Sequence, residues 1–186
     1  MTRPDPRAAA LALAVLAAPP AAAQDPARAV ELRAHAALAE VRARPGASLA
    51  PFETDGCSGG MSTVWRTFAR LAPAFAAAHG DRPPWEDCCV EHDRAYHLGG
   101  EDPAPAASFA ARAEADAALG LCVRARAEAA EPRLSAAYGL TPAQTAALHA
   151  ALAEAMVAAV RIGGGPCTGL PWRWGYGWPG CGPFAD

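Results

Sequence analysis

Apolar positions recur along most of this chain at three- and four-residue spacing, the period of a helix with one buried face. Ala27 to Arg44 is the first such run, stopped by Pro45-Gly46. A loop runs from Pro51 to Gly60. Val64, Trp65, Phe68, Leu71, Ala72 and Phe75 then predict an amphipathic helix within Ser62 to His79, with Pro73 near its end. Asp81 to Pro84 reads as a turn. A helix over Trp85 to Leu98 is closed by Gly99-Gly100, and a short loop leads to a long Ala/Arg/Glu helix over Pro105 to Ala129. Thr141-Pro142 starts a last helix, with Thr as N-cap and Pro in the first turn. It runs to Ile162 and ends at Gly163-Gly164-Gly165-Pro166. No segment repeats at a fixed period, and the expected class is all-α, mainly helical. In the tail, Trp172, Trp174, Tyr176 and Trp178 alternate strictly, so an extended segment would carry all four on one face. That face serves either as a flap packed on the helices or as a lipid-contact surface. Trp65, Phe68, Leu71 and Phe75 pose the same choice between inner packing and an interfacial lid.

The N-terminus reads as an address. Arg3 and Arg7 precede 11 apolar residues, Ala8 to Ala18; Pro19-Pro20 breaks the run, and Ala21-Ala22-Ala23 offers a small-residue cleavage site. Residues 1–23 are therefore expected to be a signal peptide, residues 24–50 an N-terminal helical segment, and residues 51–186 the main domain with its aromatic C-terminal flap. The product would be secreted or periplasmic. Composition narrows the class further. Of 186 residues 51 are Ala, none is Lys or Asn, and the 16 basic residues are dispersed Arg. A formal charge of −3 with no basic face disfavours nucleic acid as a partner. No run is read as reaching the roughly 18 apolar residues of a membrane span, so an integral membrane protein is not expected. Without the leader the charge is −4, which gives no general pull toward anionic membranes. All six Cys, at 57, 88, 89, 122, 167 and 181, lie in the exported part. Export implies disulfides, with 15 connectivities open, over a zinc site using Cys88, Cys89 and His92.

The chemistry concentrates in Cys88-Cys89-Val90-Glu91-His92-Asp93-Arg94-Ala95-Tyr96. On a helix Cys88, His92 and Tyr96 share a stripe, while Cys89 and Asp93 share a neighbouring one. His92 and Asp93 point apart, so a carboxylate that orients His92 as a base has to come from another helix. Asp116, six residues before Cys122, is the candidate. His35, His79, His97 and His149 show no such partner pattern and are expected at the surface.

Cys-Cys-x-x-His-Asp-x-x-Tyr, a downstream Asp-x5-Cys and an upstream Asp55-Gly56-Cys57-Ser58-Gly59-Gly60 loop together resemble secreted phospholipase A2, over about Gly56 to Cys122. The resemblance implies a disulfide-braced domain with two long antiparallel helices and a Ca²⁺-binding loop. It makes His92 the general base, Asp116 its orienting partner and Tyr96 a hydrogen-bond donor to Asp116. Asp93 and the carbonyls of Gly56, Ser58 and Gly60 would hold Ca²⁺. Family pairings imply Cys57–Cys89 and Cys88–Cys122, which leaves Cys167 with Cys181. Joined by Cys88–Cys122, an antiparallel pair would carry Asp116 toward His92, because both residues step the same way from the bond. The family's further Cys pair is replaced here by Ala95 and Ala115, both absent together. The segment from Cys57 to His92 is longer than in the animal enzymes, and no β-hairpin joins the two helices. The implied function is Ca²⁺-dependent hydrolysis of the sn-2 ester of glycerophospholipids by a monomer that touches membranes or micelles peripherally. A non-catalytic secreted binding module on the same scaffold is the alternative. A Ser motif of the Gly-x-Ser-x-Gly kind is not expected, which disfavours the serine lipases.

Overall fold

The computed structural model describes residues 25–57 and 60–182. The expected signal peptide, and Ser58 of the expected metal loop, lie outside the described residues. Within them the chain forms helices α1 (Pro26–Arg42), α2 (Met61–Leu71), α3 (Pro73–His79), α4 (Glu86–Leu98), α5 (Pro105–Tyr138) and α6 (Pro142–Gly163), with no strand. Local signals account for most boundaries. The Asp25 side chain accepts from Ala27 N and Pro26 opens α1. Glu86 and Asp87 place negative charge in the first turn of α4, and Gly99 closes it at φ 72°. Thr141 and Gln144 form a reciprocal capping box at the start of α6.

Two boundaries differ from the sequence expectation. The amphipathic segment is two helices, because Ala72 leaves the helical region before Pro73 starts α3. Conversely α5 runs through Pro132 for nine residues past Ala129. Pro132 removes one backbone donor, yet Ala130 and Leu134 flank it in buried positions, and this packing holds the helix together.

Helices α4 and α5 are antiparallel, since Cys88, His92 and Gly99 meet Cys122, Asp116 and Ser108 in reverse order. Helix α6 folds back along α5 after Gly139. There Cys88, Leu119, Val123 and Ala153 form one apolar cluster, flanked by Trp85, Leu152, Met156 and Val160. The two helices touch closely at Gly120, where an added Cβ would sit 3.0 Å from a Val157 methyl. A second cluster joins Leu38 of α1, Tyr96 of α4 and Trp174 of the tail, with Ala95 and Ala115 packed against it. By length and composition α6 is apolar enough to cross a membrane. Thr145, His149, Glu154 and Arg161 punctuate its alanines, so the expectation that no stretch reaches this length does not hold for α6.

The tail is not an extended strand. It folds as turns over the C-terminal end of α4. Gly175 N donates to Tyr96 O, Gly177 N to His97 O, and the Trp178 indole to Leu98 O. These are carbonyls that a helix end leaves without partners. Such close backbone contact explains the glycines between the aromatics: a Cβ on Gly177 would lie 2.4 Å from the His97 ring, and one on Gly175 would strike Leu38 at 2.7 Å. Trp174 is fully buried, Tyr176 and Trp178 are half-buried, and Trp172 is exposed. The tail is thus mainly packing, with one aromatic left facing out. In α2 and α3 the split is similar. Trp65 and Phe75 pack together at 5.0 Å, while Val64, Phe68 and Leu71 are exposed.

Candidate active site

The six Cys form three bonds, Cys57–Cys89, Cys88–Cys122 and Cys167–Cys181. No thiolate remains for zinc, so the metal alternative for Cys88 and Cys89 is closed. The adjacent pair Cys88-Cys89 ties α4 in two directions at once, to α5 and to the loop before α2. These ties set the register of the site.

One turn beyond Cys88, His92 Nε2 lies 3.1 Å from Asp116 Oδ1 on the facing helix. Tyr96 donates its hydroxyl to the same oxygen at 2.7 Å, and the tilted rings of His92 and Tyr96 are 4.1 Å apart. Asp116 is 1% exposed. A carboxylate accepts, so Nε2 carries the hydrogen and Nδ1 is left as the lone-pair nitrogen. Among the described residues Nδ1 has no partner. His92 also lines a cavity of about 220 Å³ with Met61, Leu119, Met156, Val160 and Trp172. The His92 ring thus borders a largely apolar cleft that Asp93 also lines.

Behind Asp116 lies a set of polar residues that the sequence reading missed. Arg112 donates from Nε to the Tyr96 hydroxyl at 3.1 Å and pairs with Glu31 of α1. Its other arm donates to the Val160 and Arg161 carbonyls at 3.1 and 3.0 Å, satisfying the last turn of α6. Arg161 brings its own guanidinium within 3.7 Å of Asp116 Oδ2. Next to Glu31, His35 reaches Ser108 Oγ at 2.8 Å, and the Trp174 indole donates to the same hydroxyl. Burial, then the Asp116 charge, push the Tyr96 hydroxyl well above its ordinary value, so it stays a donor. Burial alone would lower Arg112, but Tyr96, Glu31 and Asp116 outweigh it and hold it charged. A signal was available: Ser108, Arg112, Asp116, Leu119 and Val123 follow one helical stripe, and polar residues on a core stripe need partners.

Three of the four histidines expected at the surface are buried: His35, His97 and His149. His35 sits in the network just described. His97 lies under Gly177 with Phe52 and Tyr176 edge-on to it. His149, on α6, packs edge-on against Trp85. His79 is half-buried, stacked on Tyr138 and bonded to its hydroxyl. His35 has Glu31 one turn earlier and His149 the Thr145 carbonyl, but Ser108, Phe52, Tyr138, Tyr176 and Trp85, which cover these rings, all come from distant segments.

Asp93 lines the same cavity as His92 and also borders a second opening with Thr54, Asp55 and Tyr176. It is 8% exposed and accepts from Thr54 Oγ1 at 2.5 Å, while Thr54 Oγ1 accepts from Gly56 N. Burial raises Asp93 to about 6, with Thr54 and His92 acting against the rise and Asp55 adding to it. Gly56 has φ 81°, and a Cβ there would meet Glu86 and Ser62 at 2.6 Å. Gly60 caps α2, its carbonyl accepting from Val64 N. Among the described residues no group of three or more His, Cys, Asp or Glu side chains forms a metal cluster. Residues 56–60 do match Gly-x-Ser-x-Gly letter by letter. In a nucleophile elbow that motif turns a strand into a helix. No strand precedes it here, and Cys57 is tied to Cys89. Comparison of the chain with protein-family models, curated proteins and solved structures gives no match.

Proposed function

We propose that this chain is an exported Ca²⁺-dependent ester hydrolase of the phospholipase A2 type, acting on the sn-2 ester of glycerophospholipids. The observation that carries the reading is the buried His92–Asp116–Tyr96 constellation at the end of an apolar cleft, with Asp93 one residue on. In this reading His92 Nδ1 takes a proton from a water in the cleft. The water oxygen forms its bond to the ester carbonyl carbon. Asp116 keeps Nε2–H in place and stabilises the imidazolium, and Tyr96, backed by Arg112, fixes Asp116. His92 then returns the proton to the departing alkoxide as the carbon–oxygen bond breaks, releasing fatty acid and lysophospholipid. The apolar cleft would take part of an acyl chain. Exposed Val64, Phe68, Leu71 and Trp172 support peripheral contact with a lipid surface.

The Asp93 carboxylate fits a hard cation: it is buried, holds one hydrogen bond, and is penalised for its charge. Asp93 and the Gly56 carbonyl would hold Ca²⁺, and Gly60 would share an oxygen already bonded to Val64 N. When bound, Ca²⁺ supplies positive charge that polarises the ester carbonyl. The test is fatty-acid release from phospholipid–detergent micelles with and without Ca²⁺, beside Ca²⁺ titration by calorimetry. Ca²⁺-stimulated release that Asp93→Asn abolishes supports the reading. Ca²⁺ binding without release points to a binding module on the same scaffold, and neither binding nor release removes the proposal.

A further inference from the structure

The second opening at Asp93 is a cavity of about 330 Å³ that adjoins the cleft at His92, and Asp93 and Trp172 line both. Glu53, Asp55 and Tyr176 form most of its remaining wall, and no basic side chain is among its described lining residues. Tyr176 is fixed by its hydroxyl, which donates to the Glu53 carbonyl at 2.7 Å. Burial, then the Asp93, Asp55 and Glu53 charges, push that hydroxyl well above its ordinary value against the opposing charge of Arg94. The three carboxylate fields therefore converge on the Tyr176 ring. Arg94 itself is held aside, over Phe52 and toward Glu91. An Arg lies over each of Phe52, Tyr96, Phe109 and Trp178, but among the described residues none lies over Trp172 or Tyr176. Buried Asp93 spends Oδ2 on Thr54, and its Oδ1 has no hydrogen-bond partner among the described residues. These carboxylates are spread around the opening and do not gather as a metal cluster. Negative charge spread beside two aromatic rings that no Arg covers suits a cation larger than a bare ion, an organic ammonium.

We propose that this cavity is the head-group subsite of the same active site and binds the quaternary ammonium of a choline phospholipid. The inference rests on the ester-hydrolase reading. A lipid with its acyl chain in the cleft at His92 runs past Asp93 into this cavity. With Asp93 committed to Ca²⁺, Glu53 and Asp55 supply the charge that faces the ammonium, and Trp172 and Tyr176 the rings. The test compares Ca²⁺-dependent fatty-acid release by the full chain from two dihexanoyl phospholipids below their micellar concentrations. One carries choline; the other carries 3,3-dimethylbutanol, in which carbon replaces the charged nitrogen. The choline lipid should show a kcat/KM higher by roughly tenfold. Glu53→Gln and Trp172→Leu should each reduce that ratio to about threefold or less. Both lipids carry the same acyl chains, so any change in acyl contact at Trp172 cancels in the ratio, and Glu53→Gln keeps the carbonyl that anchors Tyr176. Equal turnover of the two lipids, or a ratio unmoved in either variant, overturns the subsite and leaves the hydrolase reading standing. Release from neither lipid overturns both. Calorimetric titration separates the sources of the ammonium: the non-hydrolysable diether of the choline lipid should bind roughly tenfold tighter than free phosphocholine. Equal affinity would assign the cavity to soluble choline compounds and overturn its head-group role.

Discussion

The two halves of α5 bury the same stripe in opposite ways. In the first half the buried positions are Ser108, Arg112 and Asp116; in the second they are Leu119, Gly120, Val123, Ala130 and Leu134. The apolar half packs on α6 by fit alone, and each contact there is replaceable by another of like volume. The polar half is a chain of hydrogen bonds from His92 through Asp116, Tyr96 and Arg112 to Glu31. Every member satisfies its neighbour, so removal of one strands the others. Burial by itself therefore says little about role. Buried charge that is fully partnered and ends at a cavity is what sets the first half apart.

The comparison breaks most sharply at the chemistry. His92→Gln, whose amide N–H can still donate to Asp116, should lower Ca²⁺-dependent turnover by roughly a thousandfold or more while leaving the melting temperature near that of the parent. Asp116→Asn should lose less, and the double variant should be little worse than His92→Gln alone, as expected of groups that act as one unit. A double variant whose loss equals the product of the single losses would show the two acting independently. Next in size is Arg112→Met, which strands Glu31 and the α6 carbonyls. Denaturant titration should show a loss of about 3–5 kcal/mol, as for one partner of a buried ion pair. A loss under about 1 kcal/mol would mean that the network is ornamental to the fold. In the apolar half Val123→Ala, at a site with no exposed surface, should cost about 2 kcal/mol with turnover unchanged. An activity loss there would erase the distinction between the halves.

The smallest effect concerns pH. Burial, opposed by the Glu31 carboxylate and helped by the Arg112 charge, leaves His35 below its ordinary value of 6.5. The folded state thus holds His35 neutral where the unfolded chain would already protonate it. The resulting contribution to stability is present above pH 6.5 and is lost as pH falls below it, toward the depressed folded value. Melting temperature against pH should therefore fall less steeply below 6.5 in His35→Asn than in the parent. Parallel curves would place the acid sensitivity elsewhere.

Much of the local plan was legible in the sequence. The Thr141 cap with Pro142, and Gly99, mark helix ends by chemistry that acts within a few residues, so no tertiary knowledge is needed to read them. The register of Cys88, His92 and Tyr96, and the need for a carboxylate from outside α4, follow from 3.6 residues per turn. What reaches across the fold was not legible. His35, His97 and His149 read as surface residues because their surroundings come from segments distant in sequence. Arg112 drew no reading of its own, because its partners are on α1, α4 and α6. Aromatic alternation in the tail mimicked a strand, whereas glycines there answer to the bulk of His97 and Leu38. At Pro73 the local rule prevailed and split a helix; at Pro132 buried Ala130 and Leu134 overrode it. Helix period and caps are properties of neighbours along the chain. Which side of each helix is covered, and by what, depends on contacts whose gain exceeds a local penalty of a few kcal/mol, and only the assembled structure decides that.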